Sequence, residues 1–75
     1  MPPVRAGRYT LNASRSLRAR DNSGRLNVVV LDEHDDNGDL TGHLEQSFEP
    51  PIPVADVLRL IAGLNSGRIQ RWDLA

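Results

Sequence analysis

The stretch VVVLDEHDDNGDLTGHL, residues 28–44, places an Asn-Gly pair between two segments rich in apolar side chains. Asn-Gly between apolar strands is the strongest short-range signal of a β-hairpin. Opposing apolar side chains match best across a three-residue loop, residues 36–38, in which Gly38 is left-handed. The predicted register pairs His34 with Leu40, Val30 with Leu44, Val28 with Gln46 and Leu26 with Phe48.

A calcium loop is one alternative interpretation of this acidic stretch. When Gly38 is aligned with the obligatory glycine of an EF-hand loop, Leu44 occupies the position that requires a bidentate carboxylate. An EF-hand loop is also flanked by helices, whereas predicted strands flank this one. The pattern therefore does not support a calcium site.

A zinc site is the second alternative, with Asp32, His34 and His43 as its ligands. Zinc requires that all of its ligands converge. Only a two-residue loop gathers these three side chains on one face of the sheet, and that loop sets Val30 opposite Glu45, which is an unfavourable pair. The predicted register separates the two histidines, so we expect no metal and no cofactor.

The sequence on either side of this hairpin predicts a further strand and a turn, so the hairpin is predicted to be part of a larger sheet. Residues 9–20, YTLNASRSLRAR, alternate apolar and polar side chains as a half-buried strand does. DNSG, residues 21–24, has turn chemistry, and residues 25–33, RLNVVVLDE, predict a second strand rich in β-branched side chains. A third strand, residues 39–49, is predicted to end at PPIP, residues 50–53, because proline donates no hydrogen bond to a ladder.

A helix is predicted after the prolines. Pro53 suits its first position, and Asp56 complements the dipole of its opening turn. Gly67 is its predicted left-handed cap, and residues 68–74, RIQRWDL, predict a short last strand. The apolar side chains at helical spacing form one stripe, made of Val54, Val57, Leu58, Ile61 and Leu64.

These elements, in the order β-β-β-α-β, predict a small α+β fold in which one helix packs on one face of a three- to four-stranded, mainly antiparallel sheet. We expect residues 8–75 to form a single domain after a flexible N-terminal segment, residues 1–7. The chain has no cysteine, so neither a disulfide nor a cysteine zinc site is available. Its apolar runs are too short to span a bilayer and its N-terminus resembles no signal peptide, so the cytoplasm is the expected location.

One helix shields only one face of a sheet, so the other face is a candidate interface. In the predicted register Val29 and Leu31 lie on the helix-free face. The last strand adds Trp72 to that face if Ile69 points toward the helix, and it adds Ile69 in the reverse orientation. An apolar centre with a polar rim is typical of protein interfaces. The alternative is a solvated face whose long polar side chains cover scattered apolar ones. A homodimer, formed by stacked faces or paired edges, is the simplest version of the interface.

Charge is divided along the chain. All nine basic residues are arginine and six of them precede residue 26, whereas seven of the ten acidic residues lie between positions 32 and 49. The acidic side chains of the second hairpin are either a solvated end or a mimic of nucleic-acid phosphates that attracts a basic partner. Arg18, Arg20 and Arg25 meet at the first predicted hairpin tip, where they are placed to contact phosphates.

The sequence carries no motif for catalysis: it has no glycine-rich phosphate loop, no nucleophilic cysteine and no Ser-His-Asp candidate, and a small one-layer sheet offers little concave volume. We predict a non-enzymatic, regulatory protein-binding module that occupies a larger protein partner, as phage or mobile-element inhibitors such as anti-CRISPR proteins and antitoxins do. The alternative is a small nucleic-acid-binding regulator that uses the arginine-rich first hairpin. The predicted partner-binding residues are Val29, Leu31, Trp72, Arg18, Arg20, Asp32, Glu33, Asp35, Asp36 and Asp39.

Overall fold

The computed structural model describes residues 8–21 and 23–69. They form a four-stranded, mostly antiparallel open sheet with one helix, which confirms the predicted α+β class. The predicted N-terminal segment, Trp72 and nearly all of the predicted last strand lie outside the described residues. The elements are β1 (Arg8–Leu11), β2 (Leu17–Arg18), β3 (Arg25–His34), β4 (Leu40–Pro53) and α1 (Val54–Ser66).

β3 is the central strand, and β1 and β2 share one of its edges. β4 occupies the other edge, because Leu31 of β3 pairs both with Leu11 of β1 and with Leu44 of β4. β1 and β2 both run antiparallel to β3. They are therefore two halves of one edge strand, which the segment Asn12–Ser16 interrupts.

Hydrogen bonds of Asn12 explain this interruption. Its Oδ1 accepts from the Ser14 hydroxyl at 2.8 Å and from the Arg15 N–H at 3.1 Å. Its main-chain oxygen accepts from the Ser16 N–H at 3.0 Å. Such local bonds satisfy the backbone without a ladder, so the chain turns away from β3 here and returns to it in β2.

The prediction of a continuous first strand is wrong for the same reason. Leu17 pairs with Val28, as predicted, because the chain has returned to β3 at that point. Upstream of the interruption the register differs, since Asp32 pairs with Thr10 rather than with Ala13. The residues of the interruption thus shift β1 along β3.

The loop of the β3–β4 hairpin has the predicted form. The Asp35 N–H donates to Asp39 O at 2.9 Å, and the Gly38 N–H donates to Asp35 O at 3.0 Å. Gly38 has a φ of 84°, in the left-handed region that favours glycine. His34 pairs with Leu40, so the three-residue loop is confirmed.

One extra residue then shifts the register of the rest of this hairpin. His34 pairs with Leu40 but Glu33 pairs with Gly42, so Thr41 bulges out of the ladder. The predicted pairs beyond the bulge are wrong, because a slip of one residue moves every side chain to the other face. The observed pairs are Leu31 with Leu44, Val30 with Glu45, Val29 with Gln46, Val28 with Ser47 and Leu26 with Ile52.

This shift places Val29 and Leu31 beneath α1. Both are fully buried, at 0% exposure, so the prediction that they lie on the helix-free face is wrong. Val30 alternates to the opposite side of the sheet, which we call the open face, and is also buried. The core consists of Tyr9, Leu26, Val29, Leu31, Val57, Leu60 and Leu64, with Leu11, Leu44, Phe48, Ile52, Val54, Ile61 and Ile69 packed against it.

β4 continues through the prolines at which the sequence predicts its end. The ladder is irregular there, because the four residues Phe48–Pro51 stand opposite Asn27 alone. The Glu49–Pro50 peptide bond in this segment is cis. The two prolines of the segment lie where no ladder N–H is needed, which is why the strand tolerates them.

α1 follows Pro53, which is its extended N-cap (φ −60°, ψ 141°) and not its first helical residue. The predicted cap at the other end is confirmed, since Gly67 has a φ of 78° and donates to Leu64 O at 3.3 Å. The buried stripe is rotated from the predicted one. Leu60 is buried, whereas Leu58 is 53% exposed.

Candidate functional site

The β3–β4 hairpin ends in three exposed carboxylates, Asp35, Asp36 and Asp39, which we call the acidic tip. Asp35 Oδ1 accepts from the main-chain N–H groups of Asn37 and Asp39, each at 2.9 Å. Hydrogen bonds of this kind close an Asx turn. Asp35 therefore orders the loop, and Asp36 and Asp39 present their carboxylates on a fixed backbone.

Asp32 and Glu33, predicted to belong to the same cluster, lie on opposite faces of β3 and are half-buried. The two carboxylate oxygens of Asp32 accept from Asn12 Nδ2 at 3.2 and 3.3 Å. Glu33 accepts from the Tyr9 hydroxyl and from the Thr41 hydroxyl, each at 2.7 Å. Both carboxylates thus tie β3 to its neighbours instead of adding to the acidic tip.

The charge of the acidic tip is not neutralised by a neighbouring arginine of the described chain. Within residues 8–21 and 23–69, an ion pair joins Asp56 to Arg59 of α1 at 3.6 Å, and none reaches the tip. Arg8 lines an open groove of about 600 Å³ together with Asp35 and Asp36, but forms no ion pair with either carboxylate. The tip therefore presents net negative charge to solvent.

Three exposed guanidinium groups, those of Arg18, Arg20 and Arg25, surround the turn between β2 and β3, and we call them the basic end. Side-chain and main-chain hydrogen bonds from Ser23, with a smaller effect of the Arg25 charge, hold the pKa of Asp21 below its ordinary value. The Ser23 N–H lies 3.1 Å from Asp21 Oδ1. Because β3 has ten residues, about 30 Å separates the basic end from the acidic tip.

The three residues considered for a zinc site share the open face, so the prediction that the two histidines lie on opposite faces is wrong. Asp32 pairs with His43 in the observed register, and His34 follows Asp32 on the same face. His34 Nε2 lies 3.2 Å from Thr10 Oγ1, which orients the ring. In residues 8–21 and 23–69, no three His, Asp or Glu side chains are grouped to hold a metal ion.

Asn65, which the sequence analysis did not single out, covers the outer edge of β1. Its side-chain oxygen accepts from the Tyr9 N–H at 2.7 Å, and its side-chain nitrogen donates to Tyr9 O at 3.0 Å. An amide placed in this way substitutes for a neighbouring strand. No local signal reveals the contact, because the two residues are 56 positions apart in sequence.

A cavity of about 320 Å³ lies between β2 and the start of α1. Apolar side chains line much of it, and the Ser16 hydroxyl there donates to Asn12 O at 2.7 Å. The described lining includes no histidine or carboxylate to serve as a base. The lining residues are Leu11, Ala13, Ser16, Arg18, Ala19, Gly24, Arg25, Leu26 and Val54.

The nine predicted partner-binding residues that the structure describes separate into four groups, and the tenth, Trp72, lies outside the described residues. Asp35, Asp36 and Asp39 come together at the acidic tip, and Arg18 and Arg20 at the basic end; Asp32 and Glu33 hold the sheet, and Val29 and Leu31 are in the core. The buried pair cannot contact a partner in the folded protein.

The fold and the surface define a small α+β domain with opposite charges at the two ends of its central strand. Comparison with protein-family models, with curated proteins and with solved structures gives no match. In the described part of the chain, no helix has the length and apolar character needed to cross a membrane. Function is therefore inferred from the geometry of this chain.

Proposed function

We propose that this protein is a non-enzymatic regulatory module that binds a larger protein through the acidic tip. The observation that carries the proposal is the set of exposed carboxylates on a loop whose conformation Asp35 fixes. Within residues 8–21 and 23–69, no arginine forms an ion pair with these carboxylates. A fixed loop loses little conformational entropy on binding. Unneutralised charge of one sign steers association with a surface of the opposite sign.

The partner expected from this chemistry is a protein with a basic surface, such as one that otherwise holds nucleic-acid phosphates. Asp36 and Asp39 would occupy that surface in place of phosphates, which is the mode of action of a small phage or mobile-element inhibitor. The absence of cysteine suits the cytoplasm, where disulfides are not maintained.

Affinity capture from an extract of the source cells tests the proposal. We expect the wild-type protein to retain a protein with a basic surface at about 50 mM salt and to lose it at about 300 mM, because screening weakens exposed charges. The double variant Asp36→Asn/Asp39→Asn should not retain it. The matched control, Glu49→Gln/Asp56→Asn, removes two acidic charges away from the tip and should behave as wild type. Equal capture by both double variants would contradict the proposal.

A second candidate function is nucleic-acid binding through the basic end. It is favoured by the exposure of Arg18, Arg20 and Arg25 and by their distance from the acidic tip. In that case, fluorescence anisotropy with labelled duplex DNA and single-stranded RNA should show an affinity that falls steeply with salt. Arg18→Ala/Arg20→Ala should weaken it roughly tenfold, and the control Arg59→Ala should not.

A further inference from the structure

The two outer edges of the sheet differ in how far they are protected from pairing with a strand of another chain. On the side of β1 and β2, the Asn65 amide occupies the main-chain groups of Tyr9. In the gap between these strands, the Asn12 N–H donates to Val30 O at 2.8 Å and the Val30 N–H donates to Ser16 Oγ at 3.0 Å. This edge therefore offers little for another strand to pair with.

Along its first part, Leu40–Ser47, the outer edge of β4 has no such cover in residues 8–21 and 23–69. This part of β4 pairs there with β3 alone and contains no proline. After the bulge at Thr41, the side chains from Gly42 to Ser47 alternate between half-buried and exposed, as in a regular strand. A long, regular strand edge of this kind is a template for pairing with another chain.

We propose that β4 is a dimerisation edge, at which the segment Thr41–Ser47 pairs antiparallel with the same segment of a second copy around a two-fold axis at Leu44. The two sheets then form one continuous sheet with both α1 helices on the same face. This surface is separate from the acidic tip, so the inference does not depend on the proposed function.

The side chains of the segment are complementary to themselves in this register. His43 lies opposite Glu45 of the second copy, twice by symmetry, and Leu44 lies opposite Leu44. A carboxylate that accepts a hydrogen bond from the opposing imidazole, and an apolar pair directly across the ladder, both stabilise it. The remaining pairs are Gly42 with Gln46 and Thr41 with Ser47.

Neighbouring registers are less favourable. Moving the axis by one residue toward the C-terminus sets Glu45 opposite Glu45, and moving it one residue the other way sets His43 opposite His43. Two carboxylates directly opposite each other destabilise a ladder, and two opposed histidines lose the hydrogen bond between His43 and Glu45. The axis at Leu44 is the one of these three that avoids both arrangements.

Sedimentation velocity of the full chain over a range of concentrations tests the dimer. We expect a monomer–dimer equilibrium that Glu45→Lys weakens about tenfold, because it removes both His43–Glu45 pairs. The control Ala55→Lys/Ala62→Lys adds two positive charges on exposed positions of α1 and should leave the equilibrium close to wild type. A monomer at all concentrations up to about 1 mM, or a dimer that Glu45→Lys does not weaken, overturns the proposal.

Disulfide trapping tests the register with exposed positions, in a chain that has no cysteine of its own. Mixed His43→Cys and Glu45→Cys proteins should form a cross-linked heterodimer under mild oxidation, since the two side chains are directly opposed. Ser47→Cys alone should not cross-link, because its two copies lie about 20 Å apart in this register. Cross-linking of Ser47→Cys at the rate of the mixture would show a different interface.

Discussion

Gly63 lets Ile69, which follows α1 in the chain, pack closely against the helix. It is buried, and the Ile69 side chain occupies the space that a β-carbon at this position would take. Gly63→Ala should lower the free energy of unfolding by about 1–3 kcal/mol, as overpacking does, in urea unfolding followed by circular dichroism. The control Gly42→Ala should change it by less than about 0.5 kcal/mol, because its nearest neighbouring atom would be Glu33 Oε1 at 4.0 Å. An unchanged Gly63→Ala protein would show that Ile69 does not pack there.

Asn65 acts at the same scale, by holding both main-chain groups of Tyr9. Asn65→Ala leaves these groups without the amide, and we expect a loss of about 1–2 kcal/mol in the free energy of unfolding. Arg59→Ala, which removes an exposed ion pair on the same helix, should cost less than about 0.5 kcal/mol. Hydrogen exchange of the Tyr9 N–H should accelerate in Asn65→Ala alone. Equal effects of the two substitutions would contradict the role given to Asn65.

For the strands and the helix, the sequence predicts the loop of the β3–β4 hairpin and the C-terminal cap of α1 correctly. It does not predict correctly which face of the sheet is buried under α1. Gly38 and Gly67 were identifiable because a left-handed residue is a local requirement that glycine meets. The bulge at Thr41 has no comparable local signal. It is selected by contacts distant in sequence, which set Leu44 beside Leu31 under α1. The acidic tip was therefore predictable from the hairpin, whereas it was not predictable that Glu33 would lie on the face under α1 and Asp32 on the open face.

Deletion of Thr41 tests the importance of the bulge. Without the extra residue, the loop register would continue along β4 and turn Leu44 toward the open face. We expect the deletion to abolish cooperative thermal unfolding, since a domain of this size has only about 3–5 kcal/mol of net stability. Thr41→Ala keeps the length of β4 and loses the hydroxyl bond to Glu33, so it should cost about 1 kcal/mol. A deletion variant as stable as Thr41→Ala would show that the bulge does not set the register.

At the scale of the whole molecule, the order of the hairpins separates the charges. The two hairpins share β3, so their tips lie at opposite ends of it, and the arginines of one tip cannot neutralise the carboxylates of the other. This separation of charge can be predicted from the sequence once the two hairpins are recognised. The face of the sheet that is buried cannot be predicted in the same way, because one bulge in β4 exchanges the two faces. Val29 and Leu31 are therefore no longer candidate binding residues, the acidic tip remains a candidate surface, and the edge of β4 is a further one.

The thermal unfolding of Leu31→Glu, compared with that of Leu17→Glu, shows which face of the sheet lies under α1. Leu31 is fully buried and Leu17 is 59% exposed, on a strand of the same sheet. A carboxyl group in place of Leu31 costs several kcal/mol in the core, so Leu31→Glu should show no folding transition. Leu17→Glu should melt within a few degrees of wild type. A Leu31→Glu protein that folds like wild type would contradict the account, because Leu31 would then face solvent or a partner instead of α1.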